Sequence, residues 1–186
     1  ALPISGSAFQ PGHFHTAVIG LPGTEFSSAK TTSPRNLELT DSFAIKALEI
    51  KDYLRPERWW LENPRGGLLK SRPYMAGIPY VDADYCQYTD WGYQKPTRIW
   101  GSPDVLQVKG LLCDGKTCPN LRPGPPRKPH HPLPHKVRLS SKDQNLAREW
   151  KYRVPRNLVR HLAGFPSEPP TEISLLEVFT ETVNNL

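Results

Sequence analysis

The sequence predicts an α/β fold built on a mostly parallel sheet, and three stretches carry that prediction. Thr16–Gly20 (TAVIG) is a short β-branched run that reads as a strand. Leu37–Leu54 places Ala44, Ile45 and Leu48 at helical spacing among interleaved charges. Trp59–Leu61 is too apolar for a half-exposed strand and reads as a buried one. Strand, helix, strand in that order implies a right-handed parallel crossover.

Taken in order, residues 1–15 hold Pro, Gly and Ser with little periodicity and form an N-terminal arm. Leu21–Thr32 (LPGTEFSSAKTT) is a loop. Ser33 and Pro34 then offer a capping hydroxyl and a proline for the first helical turn. Pro56 stops the helix. Glu62, Asn63 and Pro64 follow the second strand, at the carboxyl end where open parallel sheets place their ligands. Arg65–Ile78 is a loop containing Gly and Lys. Tyr80–Tyr88 (YVDADYCQY) alternates as a strand, Asp90–Gln94 is a turn, and Thr97–Gly101 (TRIWG) is the next strand. Leu106–Leu112 reads as one more short strand, which closes an α/β core over residues 16–112.

Residues 113–149 are a Pro- and His-rich basic segment with polyproline-like character, and 119–135 alone contain seven prolines. Residues 150–186 form a C-terminal helical segment. Within it Trp150–Val154 is short and extended, and Pro155–Phe165 is a helix ending near Gly164. Thr171–Leu186 is an amphipathic helix with Ile173, Leu176, Phe179, Val183 and Leu186 on its stripe. Leu175 and Val178 fall outside that stripe, which points to a second buried face and a partner protein.

The hydrophobic share is 37%, and 21 of 186 residues are proline, so the core is modest and the irregular segments long. No apolar run approaches the roughly 18 residues that a membrane span needs. The start, ALPISGSAFQPGHF, has no basic region followed by an apolar one and is not a secretory signal. Three cysteines, an odd number, argue against a disulfide scaffold and favour a reducing compartment. Together these favour an intracellular, non-secreted protein of the nucleus or an organelle. Net charge is +6, but Glu168, Glu172, Glu177 and Glu181 give the residues after Arg160 a charge of −4, leaving +10 for residues 1–160. A basic body fits an anionic partner, nucleic acid or an acidic protein surface, or else a solvated basic surface.

Four constellations bear chemistry. Glu62, at the end of a buried strand, can accept a hydrogen bond from a ring nitrogen or exocyclic amine of a flipped base; the plainer reading pairs it with Arg65 or Lys70. Cys113 and Cys118 (CDGKTC), with His130 and His135 downstream beside His131, offer two thiolates and two imidazoles for Zn²⁺. Free thiols or a local disulfide are the other readings, and Cys86 is expected to be a core thiol within a strand. Arg122, Arg127, Lys128, Lys136 and Arg138, set between prolines, either track a phosphate backbone or solubilise a loop. Of the aromatics, Trp59, Trp60, Tyr85 and Trp100 belong to the core, whereas Tyr88, Trp91 and Tyr93 sit where a base could stack.

Three segments, LPGTEFS (Leu21–Ser27), LENP (Leu61–Pro64) and YQKPTRIWG (Tyr93–Gly101), together resemble the cytosine-5 DNA methyltransferases, particularly the divergent branch of phages and retroelement-like genes. In that family a strand-end loop reads Pro-Pro-Cys before a Ser-containing turn. A helix then leads to Glu-Asn-Pro or Glu-Asn-Val, and a basic Gln-x-Arg-x-Arg segment opens a later strand. The resemblance covers roughly residues 16–102 and continues more weakly into WKYRVPRNLVRHL (Trp150–Leu162). It implies a partial methyltransferase-like, Rossmann-like sheet.

The departures are as informative. The family's nucleophilic Cys falls on Gly23, which has no side chain to attack C6 of cytosine. Thr24 and Ser27 are nearby hydroxyls without an evident base. The family binds S-adenosylmethionine through a Gly-rich loop and βα units near its start; here about 15 residues precede the first strand, and a βαβ unit takes about 30. The first Arg of the basic segment is Pro96, leaving Gln94, Lys95 and Arg98. The expectation is a degenerate site, Gly23, Glu62, Asn63 and Arg98, with no catalytic residue. Such a chain would serve as a binding or scaffold subunit of a larger protein or DNA assembly, with Lys95, Arg98, Arg127 and Lys128 as nucleic-acid contacts. The alternative is a DNA cytosine-5 methyltransferase, or a fragment of one, that holds a flipped cytosine through Glu62 and uses S-adenosylmethionine.

Overall fold

The computed structural model describes residues 9–27, 30, 33–89, 94–107, 109–121, 131 and 153–166. The chain divides into two compact units, Ala1–Ala83 with Pro96–Gly110, and Asp84–Lys95 with Leu111–Leu186.

The first unit is the α/β unit. Strands β1 (Thr16–Gly20), β2 (Arg58–Pro64), β3 (Tyr80–Asp84) and β4 (Pro96–Gly101) form one sheet in the order β1-β2-β4-β3. The expected parallel crossover is present: β1 pairs with β2 in parallel, from Thr16 opposite Arg58 to Gly20 opposite Glu62. Helix α1 (Leu37–Leu54) joins them. Strand β4 runs antiparallel to β2, with Leu61 opposite Trp100 and Asn63 opposite Arg98, so the sheet is mixed. Strands β2 and β4 are its two central members, which is why both are mainly apolar.

Helix α1 begins where local chemistry allows it. Asn36, not Ser33, is the cap, and its side-chain oxygen accepts from the Leu39 amide at 3.0 Å. Arg55 ends the helix in the left-handed conformation (φ 49°) just before Pro56. Ala44 and Leu48 face the sheet, whereas Ile45 lies largely in solvent. They join Phe26, Leu61, Leu69, Met75 and Trp100 in one core cluster. Asp41 on α1 accepts from both Arg72 and the Tyr74 hydroxyl, which ties the helix to the two short 3₁₀ turns at Leu69–Ser71 and Pro73–Met75.

Two expected strands are corrected. The run Tyr80–Tyr88 is strand only to Asp84, after which Tyr85–Gln87 forms a 3₁₀ turn. In place of a strand over Leu106–Leu112 the chain forms helix α2 (Pro103–Gln107) and then an irregular stretch. The signal for α2 is Ser102-Pro103-Asp104, a hydroxyl, a proline and an acid at a helix start.

In the second unit the described residues comprise that 3₁₀ turn, an irregular stretch over 111–121, His131 and helix α3 (Arg156–Leu162). Tyr88 is buried: its hydroxyl oxygen accepts from the Leu111 amide at 3.1 Å, and its ring meets His161 edge-on at 5.5 Å. It is therefore not an open stacking platform. Trp91, Tyr93 and the helix expected over Thr171–Leu186 lie outside the described residues. No helix among the described residues is long and apolar enough to cross a membrane.

Candidate functional site

Strand β2 delivers Glu62 and Asn63 to its carboxyl end, and Thr97 meets them from β4. The fully buried Thr97 hydroxyl donates to the Glu62 carboxylate and lies 3.2 Å from the Asn63 carbonyl oxygen. Asn63 is itself only 2% exposed, although it occupies a strand end. Its amide nitrogen lies 4.0 Å from where a Cβ on Gly23 would stand. Its amide oxygen is buried with no hydrogen-bond partner among the described residues and faces Gly67, where a Cβ would approach it to 3.2 Å.

Gly67 is therefore needed for close approach, since the same Cβ would stand 3.0 Å from the Pro64 carbonyl and 3.1 Å from that of Phe26. The Leu68 amide donates to the Phe26 carbonyl at 2.8 Å, binding the turn after β2 to the loop after β1. The structure thus brings Gly23 beside Asn63, although some forty residues of chain separate them.

The loop carrying Gly23 is braced from behind. Glu25 accepts from the Lys30 ammonium and, at 2.8 Å, from the Asn36 amide. Arg35 donates to the carbonyls of Glu25, Ser27 and Lys30. The Lys30 hydrogen bond, then that of Asn36, holds the Glu25 carboxyl below its usual range. A depressed carboxyl contributes stability above its unfolded value, near 4.5, and loses it as pH falls through the lower folded value. Wild type is therefore expected to lose more melting temperature than Glu25→Gln on acidification below about pH 4. Equal losses in a melting series would show that the brace does not feel this carboxyl.

Arg98 is engaged within the sheet. It forms a two-pronged ion pair with Asp82 at 2.7 and 2.9 Å, and its guanidinium stacks 3.6 Å over the Tyr80 ring. The Lys95 ammonium lies 4.6 Å over the Tyr85 ring in the second unit. Arg127, Lys128, His130 and His135 fall outside the described residues.

The second unit gathers the metal-ligating side chains. Cys86, Cys113, Cys118 and His131 place one ligand atom each within 4.8 Å of one another. One expectation changes here. Cys86 is not within a strand but on the 3₁₀ turn after β3, and it joins the other two thiols. Among the described residues the imidazole of the cluster is His131, with Nε2 3.2 Å from Cys113 Sγ. Burial pushes the Cys86 and Cys113 thiols up from their ordinary value. Cys86 could have been found by asking which third thiol completes a Cys-x₄-Cys pair, but nothing local marks it.

No family model matches the chain. Among curated proteins it is similar to the probable DNA (cytosine-5)-methyltransferase of Frog virus 3 (isolate Goorha), with 41% identity over 81 residues. The aligned stretch covers 43% of this chain and 36% of that protein, so the chain spans about a third of the relative it matches. The chain is methyltransferase-like over that stretch.

Proposed function

We propose that this methyltransferase-like chain is a binding subunit that keeps a base-recognition corner and makes no bond itself. One observation carries the reading: Gly23, the position where the resembling family has its nucleophile, stands beside Asn63 at the end of β2. Cytosine methylation at C5 requires a nucleophile at C6, and glycine supplies none. Glu62 remains suited to hydrogen bonding, since its carboxylate is fixed by Thr97 at a strand end. The chain's own part is to hold and orient a partner, DNA first, with Arg127 and Lys128 as phosphate contacts and a protein assembly as the other possibility.

A fragment of a once-active enzyme is the second reading, and a different feature favours it. A Cβ at Gly23 meets only Asn63, at 4.0 Å, and the backbone there is not in the left-handed region. A Cβ would fit there without distortion.

The experiment is transfer of a labelled methyl group from S-adenosylmethionine to duplex DNA. No transfer is expected, and transfer by this chain alone overturns the binding-subunit reading. Gly23→Cys is expected to fold with an unchanged melting temperature and to form no stable adduct with cytosine-containing DNA. Adduct formation by that variant, absent in wild type, would establish the fragment reading instead. A DNA-binding titration against salt addresses the partner: binding should weaken steeply as salt rises, and no binding at low salt removes DNA.

A further inference from the structure

We propose that Cys86, Cys113, Cys118 and His131 hold one structural zinc ion that organises the second unit. The donor set is three sulfurs and one imidazole with no carboxylate, which selects Zn²⁺ over Ca²⁺ or Mg²⁺. Four protein ligands fill a tetrahedral shell and leave no open position, so the ion has a structural rather than a catalytic role. In such a shell zinc–sulfur bonds of about 2.3 Å put neighbouring sulfurs about 3.8 Å apart. The four ligand atoms already lie within 4.8 Å of one another, so small side-chain rotations close the shell.

Hydrogen-bond donors are aimed at the sulfurs. The Gly115 amide points at Cys113 Sγ from 3.4 Å. The Gln87 side-chain amide donates to Cys118 Sγ at 3.4 Å and reaches Cys86 Sγ at 3.8 Å. Donors aimed at sulfur stabilise its charged form and orient it, as outer partners of metal ligands do. The loop is built to aim its two cysteines. Asp114 accepts from the amides of Lys116 and Thr117 at 2.8 and 2.9 Å, and Gly115 takes the left-handed conformation (φ 68°). Asn120 donates to the carbonyls of Cys86 and Thr89 at 2.8 Å each, pinning the turn that carries the third sulfur.

The unit also has a use for a staple. Its described apolar interior is small: Tyr85, Cys86, Tyr88, Cys118, Leu158 and Leu162. Small cores of this kind are completed by metals or disulfides. A disulfide is the poorer account, because one thiol of three would be left over and the half-buried imidazole beside them would have no role.

The test uses the whole chain, purified without chelators. Elemental analysis should find one zinc per chain, and a thiol reagent should reach all three cysteines only after zinc is removed. Cobalt substitution should give the thiolate-to-metal absorption and tetrahedral visible bands of an S₃N site, and this needs no variant. Cys86→Ser and His131→Ala should each weaken zinc binding by about 100-fold or more, whereas His130→Ala and His135→Ala should not. A zinc-free protein that binds no cobalt overturns the proposal, as do freely titrating thiols or a disulfide found by mass. Loss of cobalt binding in His130→Ala or His135→Ala, with His131→Ala unaffected, overturns this ligand set.

Discussion

Leu61→Ala is expected to cost about 3 kcal/mol of folding free energy, within the usual range for removing a buried leucine. Leu61 is fully buried in the most central strand pair, opposite Ile19 on one side and Trp100 on the other. Its neighbours in the core include Phe26, whose carbonyl anchors the turn after β2. The cavity would open in the core cluster that Leu61 shares with Phe26, Ala44, Leu48, Leu69, Met75 and Trp100. Under the proposed binding role, loss of stability should be accompanied by weaker DNA binding. Urea unfolding of the variant and wild type measures the first effect. A loss below about 1 kcal/mol would mean that Leu61 is not enclosed as described.

Gly110→Ala is expected to be destabilising by about 3 kcal/mol for the opposite reason, overpacking. A Cβ there would stand 2.0 Å from the Asp82 carbonyl oxygen and 2.8 Å from Val81 Cγ2. The first obstacle is backbone, so nothing short of moving β3 or the 109–110 segment relieves it. Asp82 also holds Arg98, and displacement of the strand would strain that ion pair. The double variant Val81→Ala, Gly110→Ala should recover little, since the carbonyl remains. Near-wild-type stability of Gly110→Ala in the same urea series would refute the close approach.

The sequence was most legible where one short-range rule governed an element. The β-branched run at Thr16–Gly20, the spacing of Ala44 and Leu48, and the apolar TRIWG run all became the elements expected of them. Strand direction was less legible, because two buried central strands look alike whether their pairing is parallel or antiparallel. Alternation in YVDADYCQY suggested a strand through Tyr88, yet the buried Asp84 accepts from the Cys113 amide and the chain turns there. That demand comes from residues far along the chain and leaves no local trace. The candidate site divides in the same way. Glu62 and Asn63 were visible because they follow an apolar run. The closeness of Asn63 to Gly23 goes with that of Gly67 to Pro64, Phe26 and Asn63, where a side chain would not fit. The thiol cluster was half visible, since Cys113 and Cys118 share a loop while Cys86 and His131 arrive from elsewhere.

The ion pairs within the first unit have a consequence for how the chain meets any polyanion. Arg58 with Asp104, Arg72 with Asp41, Arg98 with Asp82 and Lys30 with Glu25 neutralise one another at short range. Residues 1–121 accordingly sum to only +1, residues 122–160 carry +9, and the remaining tail carries −4. Around the strand end the field is that of local dipoles, which fade within a few ångströms and are little altered by counterions. Under the proposed binding role, long-range capture would reside in residues 122–160 and close-range discrimination at Glu62, and only the first would weaken as ionic strength rises.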